Sequence, residues 1–565
     1  VAPLVLFALL AWQARAVVDD AYINFRIVEN ILRGDGPVYN VGERVEAGTS
    51  PAWLAVLSGL SALLGPFGLA LPWIAVGAGV AAGVAGLAFA QTTSLILCRR
   101  AQLAGHRRGA VVPAAAWIVI GVPPFWEFVA SGLEVGLGLL WIGASAYVVA
   151  SALRSEPPGW RALLIGLGPL VRPEFAILAA VLLPALWWKT ARTGAALVRL
   201  AAWAGAVPVA TEVWRMGFYA SLVPNTALAK EAFEAVWSRG FVYLADFVEP
   251  YWLVVAVAPV LVMVLRFTRR AVPGSERVLA AALVIGAGLH GLYVVRLGGD
   301  FMHARMLLPA LFALLLPAAV WPVRPAPAAS GALKMAHAAV LLALPLWAGI
   351  SAFSLRVPYP GQIADHGVAD EVNFYRAHAR HPHPVMPDDY RGWPHGPVWI
   401  ADELRRLAAE GRRRLVLDQE QWPLASDPAA TIVTDGIMIG LVGYVAGPLV
   451  HLADPIGLTD PVASRLRLDD RGRTGHEKRL MRDWLIGRFV ADGAAAEAAV
   501  KYSQAGAARA ALRCGPLREM VEAVTGPLTP GRFLRNVMVA PRLTRLRVPA
   551  QPLDAADALC DGRQP

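Results

Sequence analysis

Residues 17–40 read VVDDAYINFRIVENILRGDGPVYN, and the placement of the acidic pair in that stretch decides how the rest of the chain is read. Upstream lies VAPLVLFALLAW (1–12), an apolar run that reads as a first transmembrane helix with its beginning cut short. A cleaved signal peptide, whose core is also apolar, is the rival reading. Downstream, Tyr22, Phe25, Ile27 and Ile31 alternate with Arg26, Glu29 and Arg33 in an amphipathic pattern. Asp19 and Asp20 therefore sit where a membrane helix hands over to an interfacial one.

Composition widens this reading. The chain has 565 residues, 56% of them hydrophobic and 17% charged. Its mean hydropathy is +0.49, a balance that belongs to polytopic membrane proteins. Residues 1–355 hold 42 of the 94 charges and residues 356–565 hold 52, so a membrane domain (1–355) is expected before a soluble domain (356–565). A purely soluble enzyme, a disordered scaffold and a nucleic-acid binder are excluded. The net charge of +10 falls mainly in the membrane half, where basic residues report topology rather than a polyanionic partner.

Apolar segments place further spans at about 69–97, 110–125, 133–153, 197–212, 251–266, 277–295, 306–321 and 335–355. The run 162–188 is broken by Arg172-Pro173-Glu174 and reads as a hairpin of two helices. Taking 51–66 as an interfacial helix puts the basic loops 98–109, 189–199 and 266–277 on one common side. The expected fold is thus an α-helical membrane domain of about eleven spans. Juxtamembrane helices occupy its first outer loop, and a mixed α/β domain stands outside the cell at the C-terminal end.

Further phrases accompany the acidic pair: Gly48-Thr49-Ser50-Pro51, Arg172-Pro173-Glu174, Val223-Pro224-Asn225-Thr226-Ala227-Leu228-Ala229-Lys230, and Gly298-Gly299-Asp300-Phe301-Met302-His303-Ala304-Arg305. In this order they resemble the mycobacterial terminal β(1→2) arabinofuranosyltransferase family, within the GT-C superfamily of polyprenyl-phosphate-sugar transferases. The resemblance runs along most of residues 1–355 and continues through 431–465. It implies a decaprenylphosphoryl-arabinofuranose donor, an arabinan acceptor in arabinogalactan or lipoarabinomannan, and an active site on the outer side. Two rivals are kept: another polyprenyl-phosphate-sugar transferase, such as a mannosyltransferase, and a lipid-linked sugar transporter or flippase.

The chemistry assigns roles. A lipid-linked phosphosugar carries its own leaving group, so the enzyme must hold a phosphate, stabilise an oxocarbenium-like centre and deprotonate a hydroxyl. Asp19 and Asp20 are the expected catalytic pair, one acting and the other orienting, with Asp19 put first by analogy. Lys230, Arg296, His303 and Arg305 are the expected phosphate ligands. Asp300, Asn225, Thr49, Ser50, Arg172, Glu174, Trp126 and Glu127 are expected around the substrates; for Trp126 the ordinary alternative is an aromatic belt. A β-configured donor and a β-linked product would require retention. Either a carboxylate nucleophile or same-face attack within an ion pair would deliver it, and both routes stay open. A divalent cation is left open, without a spaced ligand set to hold one. The H-x₂-H-x-H run at 378–383 reads as an exposed turn rather than a metal site. Cys514 and Cys560 are expected to pair on an oxidising side.

Overall fold

The structure, a computed structural model, describes all residues except 105–108, 154–158, 191, 271–273, 324–329, 426–428, 437, 469 and 561–565. Part of the basic loop 98–109 thus lies outside the described residues. The chain divides into two compact units. One comprises Val1–Val17, Trp73–Val209 and Ala235–Ala377; the other comprises Val18–Pro72, Ala210–Glu234 and His378–Pro565.

The first unit is helical. Among the described residues, four helices of the chain are long and apolar enough to cross a membrane: Leu71–Gln102, Gly194–Tyr219, Glu276–Arg296 and Gly331–Ser354. The pair Trp237–Val248 and Leu253–Arg266, bent by 89°, makes a fifth if counted as one broken span. Shorter apolar helices include Ala2–Gln13, Val135–Ser151, Gly159–Val171 and Leu308–Ala318. The span expected over 110–125 is not one helix. Val111–Pro113 forms strand β1, and the helices Ala116–Gly121 and Pro123–Val129 follow it. Pro123 and Pro124 supply the physical reason, since neither has an N–H to continue the preceding turn. Strand β2, Val320–Pro322, pairs antiparallel with β1 and ends the segment expected as a span at 306–321.

Close packing within this unit depends on glycines seven residues apart. A Cβ on Gly136 would stand 2.1 Å from the carbonyl oxygen of Gly79, and one on Gly143 would stand 2.4 Å from that of Gly86. With no hydrophobic drive between helices in lipid, such small-residue contacts let backbones approach and gain dispersion energy.

The second unit is α/β. Strands β3 (Arg414–Leu417), β4 (Glu420–Pro423), β5 (Ile432–Asp435) and β6 (Val450–Ala453) form a sheet of order β4-β3-β5-β6. The β3–β4 pair is an antiparallel hairpin at the edge; β3–β5 and β5–β6 are parallel, with Ile432 opposite Val450. A parallel pair needs a crossover, and the helix Ile439–Ala446 provides it between β5 and β6. Leu415, Leu417, Val433 and Ala453 lead from the sheet into a core completed by Trp484, Phe489, Leu517 and Leu543. Cys514 and Cys560 are joined by a disulfide, and Cys98 is a buried free thiol.

Candidate active site

In the second unit the acidic pair opens the helix Asp19–Arg33, which ends at Gly34 in the left-handed conformation (φ 89°) with Arg33 in its last turn. Acids in the first turn and a base in the last complement the helix dipole. The helix forms where the sequence places it; its partners lie far along the chain. Asp19 is 7% exposed, and its two carboxylate oxygens accept from the backbone N–H groups of Gly440 (2.9 Å) and Leu441 (2.7 Å). Those groups lie in the first turn of Ile439–Ala446, so Asp19 caps a helix some 420 residues away. Burial pushes its carboxyl up to about 7; the two N–H bonds oppose this and the neighbouring Asp20 adds to it. Asp20 is half-buried beside it.

Arg26, fully buried on the same helix, reinforces the junction. It donates to the carbonyls of Tyr39 (2.8 Å), Gly443 (2.8 Å) and Val450 (2.6 Å), and its guanidinium lies 4.4 Å over the Tyr39 ring. The Tyr39 hydroxyl donates to Ile439 O at 2.5 Å, and Asn40 exchanges hydrogen bonds with the backbone of Leu452. Arg26, Tyr39 and Asn40 were not among the expected site residues; in the sequence Arg26 reads only as one of the polar residues of the amphipathic pattern. Asp454 accepts from the N–H groups of Ile456, Leu458 and Thr459, and burial pushes it up to about 7 as well.

The other expected residues of this unit hold loops. Ser50 caps the helix Pro51–Leu64 by accepting from the Trp53 N–H (3.2 Å), with Thr49 half-buried before it. Asn225 donates to Gly457 O (2.7 Å) and Asp460 O (3.2 Å) and accepts from the Ser464 hydroxyl (2.8 Å). Lys230 runs its methylene stem past Gly475. In the tail, His378 packs on Trp393 with centroids 4.5 Å apart. The His381 ring accepts from the His383 N–H.

In the first unit the structure brings two expected phrases together. Arg172 ion-pairs with Glu174 and with Glu134, a partner not anticipated, and its Nη2 lies 2.7 Å from Met306 Sδ. Gly298 and Gly299, both with positive φ, turn the chain so that Asp300 meets Arg305, whose Nε and Nη2 reach one carboxylate oxygen at 3.0 and 2.7 Å. His303 is held at both ring nitrogens: Nδ1 lies 2.6 Å from Asp246 Oδ2 and Nε2 lies 3.0 Å from the Tyr251 hydroxyl. Asp246 also receives Tyr359 and His366. Arg296 is half-buried, and its carbonyl accepts from the Val236 N–H. The Trp126 indole is buried and donates to Ile120 O (3.0 Å), while Glu127 pairs with Arg356 at 2.6 Å. Among the described residues no group of three or more His, Cys, Asp or Glu side chains is arranged to hold a metal ion, so no step is derived through one.

Apolar helices able to cross a bilayer, carried in one chain with a mixed-sheet unit that buries a carboxylate at a helix start, define a membrane protein with an α/β unit. Residues 418–555 match the AftB family C-terminal domain. The terminal beta-(1->2)-arabinofuranosyltransferase of Mycobacterium tuberculosis is 33% identical, over 97% of this chain and 94% of its own length. The enzyme of the same name from Corynebacterium glutamicum is 30% identical, over 94% of this chain and 82% of its own length. The solved structure of ArnT from Cupriavidus metallidurans bound to undecaprenyl phosphate is also similar, with a TM-score of 0.40 and 14% identity over 80% of this chain and 88% of that one. The chain belongs to the terminal β-(1→2)-arabinofuranosyltransferase family of glycosyltransferases.

Proposed function

We propose that the protein is a GT-C type membrane transferase that moves arabinofuranose from decaprenylphosphoryl-arabinofuranose to the non-reducing ends of cell-wall arabinan, forming terminal β(1→2) linkages. The observation that carries this is the similarity, 33% and 30% identity over 97% and 94% of this chain, to two enzymes of that name. The membrane domain is residues 1–355; residues 356–565 stand on the extracytoplasmic side.

Within the pair, geometry favours a division of labour. Both oxygens of Asp19 are engaged by backbone N–H groups, so Asp19 fixes the crossover helix. Asp20, one residue on and less buried, is proposed as the carboxylate that acts on the acceptor hydroxyl. The C1–O bond to phosphate breaks with its electron pair leaving on the polyprenyl phosphate, C1 bonds to the acceptor O2, and the hydroxyl proton goes to Asp20. The preference for Asp19 by analogy thus passes to its neighbour. Lys230, Arg296, His303 and Arg305 are proposed as ligands of the donor phosphate, and Asp300, Asn225, Thr49, Ser50, Arg172, Glu174, Trp126 and Glu127 as substrate-binding residues.

The test is transfer from synthetic polyprenylphosphoryl-arabinofuranose to an arabinose oligosaccharide, with linkage and anomeric configuration read by NMR. A β(1→2) product that Asp20→Asn abolishes in a normally folded protein supports the reading. Transfer from polyprenylphosphoryl-mannose alone would discard the sugar, and full activity in Asp20→Asn would discard the role.

A further inference from the structure

Near the end of the second unit, the helix Pro530–Arg545 buries Asn536, Ala540, Leu543 and Thr544 and turns a different face outward. Leu534, Arg535, Met538, Arg542 and Arg545 are exposed along one stripe of it, Leu534 by 65% and Met538 by 80%. A single exposed leucine is ordinary on a protein surface. Two large apolar side chains one turn apart, interleaved with arginines, are instead the pattern of a helix that lies in a membrane interface. Charge agrees: residues 523–553 contain five arginines and no Asp or Glu. Arg542 pairs with Glu519, Arg547 pairs with Glu231 and Arg532 donates to Glu522 O, while Arg535 and Arg545 stand exposed.

Position gives independent support. The helix Gly194–Tyr219, long and apolar enough to cross a membrane, ends inside the second unit. Ala210, Val213 and Trp214 are exposed along one stripe of it, and Gly217 continues that stripe by one turn. There the Phe533 ring fills the space that a Cβ on Gly217 would need. Asn536 Nδ2 donates to Gly217 O at 3.0 Å, and Thr544 Oγ1 accepts from the Leu222 N–H at 2.9 Å. Trp214 stacks on Phe218 with centroids 4.9 Å apart and meets Tyr219 edge-on at 5.3 Å. Aromatic rings of this kind collect where a span leaves the hydrocarbon. Pro530–Arg545 is thus fixed across the outward stripe of a span, at the depth where that span ends.

We propose that Pro530–Arg545 lies on the bilayer surface and docks the α/β unit on anionic phospholipid headgroups. Leu534 and Met538 insert, and Arg535, Arg542 and Arg545 meet the negative charge. A neutral surface would take the two apolar side chains but leave the arginines without counter-charge, so the occupant is an anionic one. The contact is with the plane of headgroups, not with one lipid held in a pocket, and it needs neither sugar donor nor acceptor.

The experiment uses the full chain in lipid nanodiscs, one copy per disc, with Cys98→Ala and a fluorophore on Met538→Cys. The discs hold phosphatidylcholine alone or in equal parts with phosphatidylglycerol, each with a phospholipid spin-labelled at the headgroup as quencher. Quenching is expected in the mixed discs and at least about twofold less in phosphatidylcholine alone. Each of Arg535→Gln and Arg545→Gln is expected to shift the docking equilibrium by about fivefold towards the undocked state in the mixed discs. Unfolding at the parent temperature shows that these surface variants are folded, and the comparison between the two lipids needs neither of them. Absence of quenching in both lipids overturns the proposal, as does quenching that is equal in both and unmoved by either arginine change. Quenching or shielding of the fluorophore found only with two copies per disc would also overturn it, by assigning the face to a contact between copies.

Discussion

Replacing Asp19 by asparagine tests whether its carboxyl is a buried cap or an accessible base. Burial holds this group at about 7 against an ordinary value of 3.8. Between those values the folded chain keeps a proton that the unfolded chain has released. The folded state is therefore favoured most below pH 4, and stability falls as pH rises towards 7, levelling above it. At about 1.4 kcal/mol per pH unit, the ionised carboxylate at pH 8 costs the wild type about 4 kcal/mol relative to pH 4, as an upper figure. Asparagine carries no such slope. It keeps one oxygen for Gly440 or Leu441 and turns an amide towards the other N–H, a loss of about 1–3 kcal/mol at any pH. Asp19→Asn should consequently be less stable than wild type at pH 4.5 and equal or more stable at pH 8. Thermal unfolding of the full chain in detergent, scanned at both pH values, measures the difference. A deficit that is the same at both, or larger at pH 8, would falsify the assignment of a proton-linked buried cap.

Three other outcomes follow from the same junction and its surroundings. Gly440→Ala would place a Cβ 1.8 Å from the Asp19 carbonyl oxygen, so the crossover helix must shift; a loss of at least about 2 kcal/mol is expected in thermal unfolding, with transfer activity falling alongside. Arg26→Met keeps volume but strips the Tyr39, Gly443 and Val450 carbonyls of their donor, and a loss of about 3 kcal/mol or more is expected, larger than for Arg33→Met on the open end of the same helix. Cys514→Ser opens a bridge between residues 46 apart in sequence, which the chain-entropy account values at about 4 kcal/mol; reductant should lower the unfolding temperature of wild type towards that of the variant and leave the variant unmoved.

Composition, charge distribution and local period were enough to determine a helical membrane block, an amphipathic helix after the first apolar run, a break at Arg172-Pro173-Glu174 and a polar C-terminal tail. These are properties of neighbouring residues, set by burial in lipid or water and by backbone chemistry at proline and glycine. The phrases around Asp19, Asp300 and Asn225 also sufficed to point to the family, because they are contiguous. Partners were not legible. Nothing near VVDDAYINF indicates that Asp19 caps a helix beginning at Ile439, that Arg26 closes on Val450, or that Arg172 finds Glu134 and meets Met306 beside Asp300. Asp246, which fixes His303, lies in a segment that carried no motif at all. Prolines likewise broke the span expected at 110–125 into a strand and two short helices, although its hydropathy alone suits a single span. Hydropathy reports whether a segment is buried; which donor meets which acceptor is settled only when the folded chain brings distant groups within about 3 Å of each other.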